Sequence, residues 1–267
     1  MKDGPGTIVL CCFAATTLAA CGESRGTILT LGDTTVWHPA AVTSWQLQLT
    51  GPIDTTPDVQ MFDIDLFDVD ASVVATLHQK GARVICYTSA GSFEDWRSDA
   101  ASFPASVLGN THGSQGERWL DIRAIGVLGP IMKARLDLCR SKGFDGVDAD
   151  NADGYTNATG FPLTAADQLA YNRFLATEAH ARGLSIGLEN DVSQAADLLG
   201  DFDWILDEQC FEYNECNLVQ PFIDAGKAVF HVEFNLEPSA FCSQANALNF
   251  NSMKKNVSLD AARWPCR

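Results

Sequence analysis

The sequence predicts an α/β fold of the (β/α)8 TIM barrel type in a single domain, and three observations carry that expectation. Eight strand candidates are separated by helical or long polar stretches. Each gap is long enough for the crossover that parallel strands require. Acidic and polar side chains gather at the C-terminal end of strand after strand, the face on which a barrel builds its site. A doubly wound sheet is the competing arrangement, but the Gly-x-Gly-x-x-Gly turn that would favour it is absent after the first strand.

The elements follow in order. Ser44 to Thr50 alternates as a strand and stops at Gly51-Pro52. Met61 to Leu66 is a second strand, with Asp63 and Asp65 on one face, and Val73 to Lys80 is a helix stopped by Gly81. Val84 to Ser92 is an apolar strand that breaks into small residues. Phe93 to Leu120 reads as a long loop carrying Glu94, Trp96, Arg97 and Trp119. A helical segment from Ile122 runs to Lys142, where Gly143 ends it, and the fourth strand follows. Thr164 to Arg182 is a helix with Thr164 as cap and Asp167 at the capping-box position. Leu184 to Asn190, Trp204 to Gln209 and Ala228 to Asn235 are further strands, spaced by helices at Ala195 to Leu199 and Leu218 to Ala225. Ala247 to Lys255 supplies a weaker eighth.

The densest chemistry lies in Lys142 to Tyr155, where Asp145, Asp148, Asp150 and Asp153 crowd around Asn151. Strand alternation puts Asp148 and Asp150 on one face and sends Val147 and Ala149 into the opposite layer. Two neighbouring carboxylates repel each other unless a proton or cation intervenes, which raises at least one pKa. A solvated turn and a Ca²⁺ loop are the bland alternatives. The Ca²⁺ loop fits poorly, because the helix-loop-helix pattern with its closing Glu is missing. Apolar sequence leading into the acids and polar loop after them describe a catalytic or substrate-binding strand end.

The strand ends together offer Asp63, Asp65, Tyr87, Ser92, Asp148, Asp150, Asn151, Glu189, Asn190, Glu208, Gln209 and Glu233. None of the five histidines neighbours a serine elbow, so serine nucleophile chemistry lacks support, and His231 reads as a core residue. Paired carboxylates beside aromatic platforms are what glycoside cleavage needs. Trp37, Trp45, Trp96, Trp119, Tyr155 and Tyr213 could stack on sugar faces, although each taken singly is more often packing.

A net charge of −16 argues against nucleic acid and anionic membranes as partners and is compatible with a cationic ligand. Residues 1–21 read as an export signal whose Leu18-Ala19-Ala20-Cys21 end resembles a bacterial lipobox, with Cys21 as the lipidated residue. Residues 22–34 then form a polar tether and 35–267 the domain. The expected location is the bacterial surface or periplasm, or the medium, and the expected state is a monomer. Of nine cysteines, Cys11, Cys12 and Cys21 fall in the signal and six remain. Short separations favour pairing Cys210 with Cys216 and Cys242 with Cys266; Cys86 and Cys139 are left as a third pair or as two buried thiols. No spacing supports a zinc site, and no cofactor is expected.

The chain resembles glycoside hydrolase family 114. The resemblance rests on Trp37-His38-Pro39, Trp45-Gln46, Asp63-Ile64-Asp65, Cys86-Tyr87, Ala90-Gly91-Ser92, Gly143 to Asn151, Asn190-Asp191, Asp207 to Tyr213, Gly226 to Phe230 and Arg263 to Cys266. It implies a (β/α)8 barrel and endo-acting cleavage of α-1,4-linked galactosamine polymers, a polysaccharide that is cationic when deacetylated. It also implies that the carboxylate pair falls on Asp150 and Glu208, with Asp148 as supporting acid. Glu189 stands where a Lys is expected in many relatives, and Asp207 where Asn is common, so both are expected to add negative charge near the mouth as subsite residues. The Asp145-to-Asp150 strand is also similar to that of family 18 chitinases, but Ala152 occupies the place of their acid Glu. A surface polysaccharide-binding lipoprotein that kept the barrel and lost turnover is the alternative.

Overall fold

The computed structural model describes Met1 and residues 36–267; the expected signal, lipobox and tether lie outside the described residues. In chain order the elements are β1 (Trp45–Gln48), β2 (Met61–Asp65), α1 (Ala71–Gln79), β3 (Arg83–Ser89), β4 (Ser92–Glu94), β5 (Leu108–Thr111) and β6 (Glu117–Leu120). There follow α2 (Ile125–Lys142), β7 (Gly146–Asp150), α3 (Ala165–His180), β8 (Ser185–Glu189), α4 (Ala195–Leu198), β9 (Trp204–Glu208) and α5 (Cys210–Tyr213). The chain ends with α6 (Gln220–Asp224), β10 (Ala228–Glu233), α7 (Pro238–Ala247), β11 (Asn251–Lys254) and β12 (Trp264–Pro265).

The main sheet runs β1-β2-β3-β7-β8-β9-β10-β11, parallel throughout, with β12 antiparallel on β11. The expected (β/α)8 barrel is therefore present, but no strand ladder joins β11 to β1. Other bonds close that seam: Trp45 Nε1 donates to Asn251 O (2.8 Å), Thr43 N to Asn251 Oδ1 (3.0 Å) and Arg263 Nη2 to Trp45 O (2.9 Å).

Alternation along the strands sorts the core into two layers. Phe62, Ile64, Val84, Val147, Ala149, Ile186, Leu188 and Val229 face the helices and pack on Val74, Leu77, Met132, Leu136, Tyr171 and Leu175. Trp45, Met61, Ile85, Trp204, Phe230 and Met253 fill the lower barrel. Gly187 makes room for this packing, because a Cβ there would lie 2.1 Å from the Trp204 ring. The lower interior is apolar and the acids stand above it.

Two stretches differ from the sequence reading. Phe93 to Leu120 is not a bare loop: β4, β6 and β5 form a small antiparallel sheet there, in which Ser92 pairs with Trp119. Gly and polar residues masked its alternation. α7 was not expected either, although Pro238 at its first turn is a recognised helix start. The capping box of α3, with Thr164 and Asp167, is formed as expected. Disulfides join Cys86 with Cys139, Cys210 with Cys216 and Cys242 with Cys266.

Under the barrel, Asp203 accepts a hydrogen bond from Ile186 N (2.9 Å) and lies 3.0 Å from both His180 Nε2 and His38 Nδ1. Burial opposes its ionisation, but the His180 and Ile186 contacts outweigh it and hold the pKa below the usual carboxylate value. A depressed pKa contributes stability above the unfolded value of about 4, and that contribution disappears as pH falls through the folded one. Asp203→Asn should lower stability at pH 7 by about 1–2 kcal/mol. Urea midpoints should show the gap narrowing toward pH 3; a gap equally wide at both pH values would refute the assignment.

Candidate active site

Three adjacent strands end in the same way. Asp150, Glu189 and Glu208 close β7, β8 and β9, and each is followed at once by a non-glycine residue in the left-handed region: Asn151 (φ 59°), Asn190 (φ 55°) and Gln209 (φ 68°). Such residues cost about 1 kcal/mol or more each and persist where the surroundings enforce them. At Asn151 the surroundings are visible. Its Nδ2 donates to Ser89 Oγ (2.9 Å), its Oδ1 meets His112 Nε2 (2.7 Å), Ser89 Oγ meets Ser92 Oγ (2.6 Å), and Ser92 Oγ donates to Glu117 Oε1 (2.6 Å). Gly91 passes so close that a Cβ would lie 1.7 Å from Asn151 O.

This network delivers donors to Asp150. Asn151 N donates to its Oδ1, Asn151 Nδ2 to its Oδ2 (3.1 Å), and Tyr87 OH to its Oδ2 (2.6 Å). Burial is the larger effect and leaves the Asp150 pKa above the ordinary value; these donors oppose it and favour the ionised form. Glu208 has a different environment. Asn190 grips it weakly, with Nδ2 3.4 Å from Oε2 and Oδ1 accepting from Glu208 N (3.0 Å). Burial first, then the charge of Asp150, pushes its pKa up to about 7. Two carboxyls in one mouth thus differ in their surroundings, one supplied with donors that favour its charged form and one nearly without them.

Two clefts of about 340 Å³ each meet at Glu208, Asn190 and Asp153. The first adds Tyr87, His112, Glu117, Trp119, Asp150 and Asn151. The His112 and Trp119 rings pack there tilted by 31°, with centroids 3.9 Å apart. The second adds Tyr155, Asp191, Asp207, Gln209, Tyr213 and Glu215, and no Lys or Arg lines it. Burial and the charge of Asp153 lift Asp191 to about 8, and burial and Glu215 lift Asp207 likewise to about 8.

Deeper in the barrel, Asp63 and Asp148 meet carboxyl to carboxyl, and no donor from any other residue reaches their four oxygens. Burial raises both pKa values, and a shared proton resolves the contact, with Asp148 as its holder.

The remaining expected residues are dispersed. Asp65 is engaged by Arg97 Nη2 (2.6 Å), Arg97 Nη1 (3.0 Å) and the Phe67 and Asp68 amides, tying the small sheet to the barrel. Glu233 is fully buried and accepts from Phe211 N (2.9 Å) and Glu212 N (3.3 Å), which fixes α5. Ser92 acts through Asn151, Gln209 Nε2 holds Glu212 Oε2 (2.7 Å), and Tyr213 stands 62% exposed at the rim. Glu189 is not a charge at the mouth: it is 4% exposed inside the barrel. Asp207 does line the second cleft. His112, Glu117 and Glu215 carried no signal in the sequence, because they sit on loops and the small sheet where no periodicity marks them; Asp153 and Asp191 stand in the aspartate-rich stretch and the Asn190-Asp191 motif without being singled out as site residues. Asp207, Cys210 and His231 converge within 4.8 Å, but Cys210 is in a disulfide and His231 is held by Ser252 (3.0 Å) and Glu233 (3.2 Å), so they do not form a metal set.

Comparison with known proteins places these features. The description of glycoside-hydrolase family GH114 matches residues 26–267. Ega3 of Aspergillus fumigatus, solved in complex with galactosamine, superposes with a TM-score of 0.83 at 41% identity, covering 88% of this chain and 99% of that one. The glycoside hydrolase domain of PelA from Pseudomonas aeruginosa gives 0.66 at 14% identity over 82% and 97%. Amy13B of Eubacterium rectale gives 0.51 at 10% identity over 79% of this chain and 65% of that one. The last two likenesses show the fold alone. No curated protein sequence matches.

The Tyr87 contact can be isolated. Tyr87→Phe should keep the fold and raise the Asp150 pKa by about one unit, the worth of a hydrogen bond to a charged group. A ¹³C-carboxyl NMR titration reads this directly; an unmoved Asp150 resonance would show the contact to be incidental.

Proposed function

The chain belongs to glycoside-hydrolase family GH114, and from that premise we propose that it cleaves internal α-1,4-galactosaminidic bonds in deacetylated galactosamine polysaccharide, using Asp150 and Glu208 as its carboxylate pair. One observation carries the reading: two clefts meet at Glu208, with Asp150 in one of them and acids without Lys or Arg lining the other. A polymer crossing both would lay a glycosidic bond at their junction.

Glu208, partly desolvated, suits protonation of the departing glycosidic oxygen. Asp150, held ionised by Tyr87 and Asn151, supplies the negative oxygen on the other side of the bond, as nucleophile or as base toward water. The edges of the His112 and Trp119 rings that line the cleft offer an aromatic wall to a sugar. Asp153, Asp191 and Glu215 offer countercharge to ammonium groups, which supports a deacetylated substrate over an acetylated one. Export is part of the same reading. Three disulfides support an oxidising compartment, and among the described residues no helix is long and apolar enough to cross a membrane.

Asp150→Asn and Glu208→Gln should each lower release of reducing ends from a deacetylated galactosamine polymer by on the order of 10²–10⁴-fold while oligosaccharide binding survives. Because Glu208 must hold its proton, the wild-type rate should decline as pH rises through about 7. Near-normal turnover in Glu208→Gln would sink the assignment. Binding with no new reducing ends from the unaltered protein would leave a carbohydrate-binding barrel in its place.

A further inference from the structure

Glu189 is a buried acid that the mechanism above leaves unused. Register pairs Ala149 with Leu188, so the ends of β7 and β8 bring Asp150 and Glu189 side by side. On the other flank Glu189 pairs with Leu206, two residues below Glu208. The groups that face it are Asp148 and Asp150 from β7, Glu208 from β9, Asp63 from β2 and the Tyr87 phenol from β3. Four are carboxyls, and the fifth, the Tyr87 hydroxyl, is given to Asp150. Its Oε2 is buried without a hydrogen-bond partner, and the strand register sets its carboxyl beside that of Asp150.

Two buried carboxyls set side by side need a proton between them, and the neighbours decide which side carries it. Asp150 already accepts from Tyr87 OH and from the Asn151 backbone and side chain, all of which favour its ionised form. Glu189 has no donor of its own. We propose that Glu189 is a positioning residue: it keeps its proton and donates it to Asp150 in a hydrogen bond, which holds that carboxylate ionised and oriented toward the cleft. The inference rests on the reading of Asp150 and Glu208 as the reacting pair. Burial and the four neighbouring acids push the Glu189 pKa well above the ordinary range, in the direction the geometry requires.

The test is the pH dependence of kcat and kcat/KM on a deacetylated galactosamine polymer for the wild type, Glu189→Gln and Glu189→Ala. Gln replaces the O–H donor with an N–H donor, so kcat should stay within about tenfold and both limbs of the profile should remain in place. Ala removes the donor, so the acid limb should rise by about one unit and kcat should fall on the order of tenfold, with KM little changed. Should the Ala variant not fold, Glu189→Met, close in volume and without a donor, carries the same expectation. If both limbs move down in Glu189→Gln, Glu189 is a negative charge in the wild type and the proposal is overturned. An unmoved acid limb in the donor-free variant overturns it too. Normal turnover in Asp150→Asn and Glu208→Gln would instead remove the underlying pair, so the two failures are separable.

Discussion

Five carboxyls, Asp63, Asp148, Asp150, Glu189 and Glu208, share the upper half of one barrel, and the charges acting on them are one another's. In a medium of low dielectric this cannot be a set of five anions. The crowding has to be relieved by protons, and local donors determine where the protons go. Only Asp150 collects three hydrogen bonds from neutral donors, so it is the position at which a negative charge is least costly. The other four are left to hold or share protons. A division into one anion and a proton-carrying partner, which glycoside cleavage requires, thus follows from packing acids around the one member that protein donors surround.

Holding that member in place occupies much of the surrounding structure. The left-handed turn at Asn151 aims its amide back at Asp150, and the chain Glu117–Ser92–Ser89–Asn151–His112 braces the turn. Part of that chain comes from the small sheet, which is itself anchored by buried arginines. Arg97 joins Glu94 to Asp65, and Arg135 joins Asp99 to the Ser89 carbonyl at the end of β3. Both guanidinium groups lie over the Phe67 ring. The cations near the site are therefore committed to the scaffold behind it, which leaves the carboxyls in front without a counterion. The same small sheet carries Trp119 into the cleft, so the bracing and the aromatic wall of the cleft are one element.

What could be read in the sequence followed physical rules of short range. Period-two alternation located Asp148 and Asp150 on one face, and Val147 and Ala149 on the other, because a strand leaves its side chains no other choice. The barrel followed from repeated strand-helix cycles, and the acids at the strand ends followed from it. Three-dimensional burial was not legible. Glu189, Asp65 and Glu233 share the composition of a site residue, yet the first lies beneath the cleft, the second belongs to Arg97 and the third caps α5. A carboxylate at the end of a barrel strand shows the face it joins; its depth and partner depend on elements tens of residues away. Asn151 and Asn190 after their acids did carry a local signal, since asparagine tolerates positive φ.

The shortage of cations connects catalysis with selectivity. A cleft that keeps Asp153, Asp191, Asp207 and Glu215 together without Lys or Arg is electrostatically incomplete, and burial already holds two of these acids up near 8. An ammonium group entering there would supply the missing countercharge and favour their ionised forms, whereas a neutral acetamido group would supply none. The pull on a cationic sugar would then be strongest beside Glu208, whose own proton is retained because its neighbours are negative. Discrimination for a charged sugar and retention of the proton that cleaves its bond would come from the same excess of acids, and adding a lysine to the cleft would weaken both together.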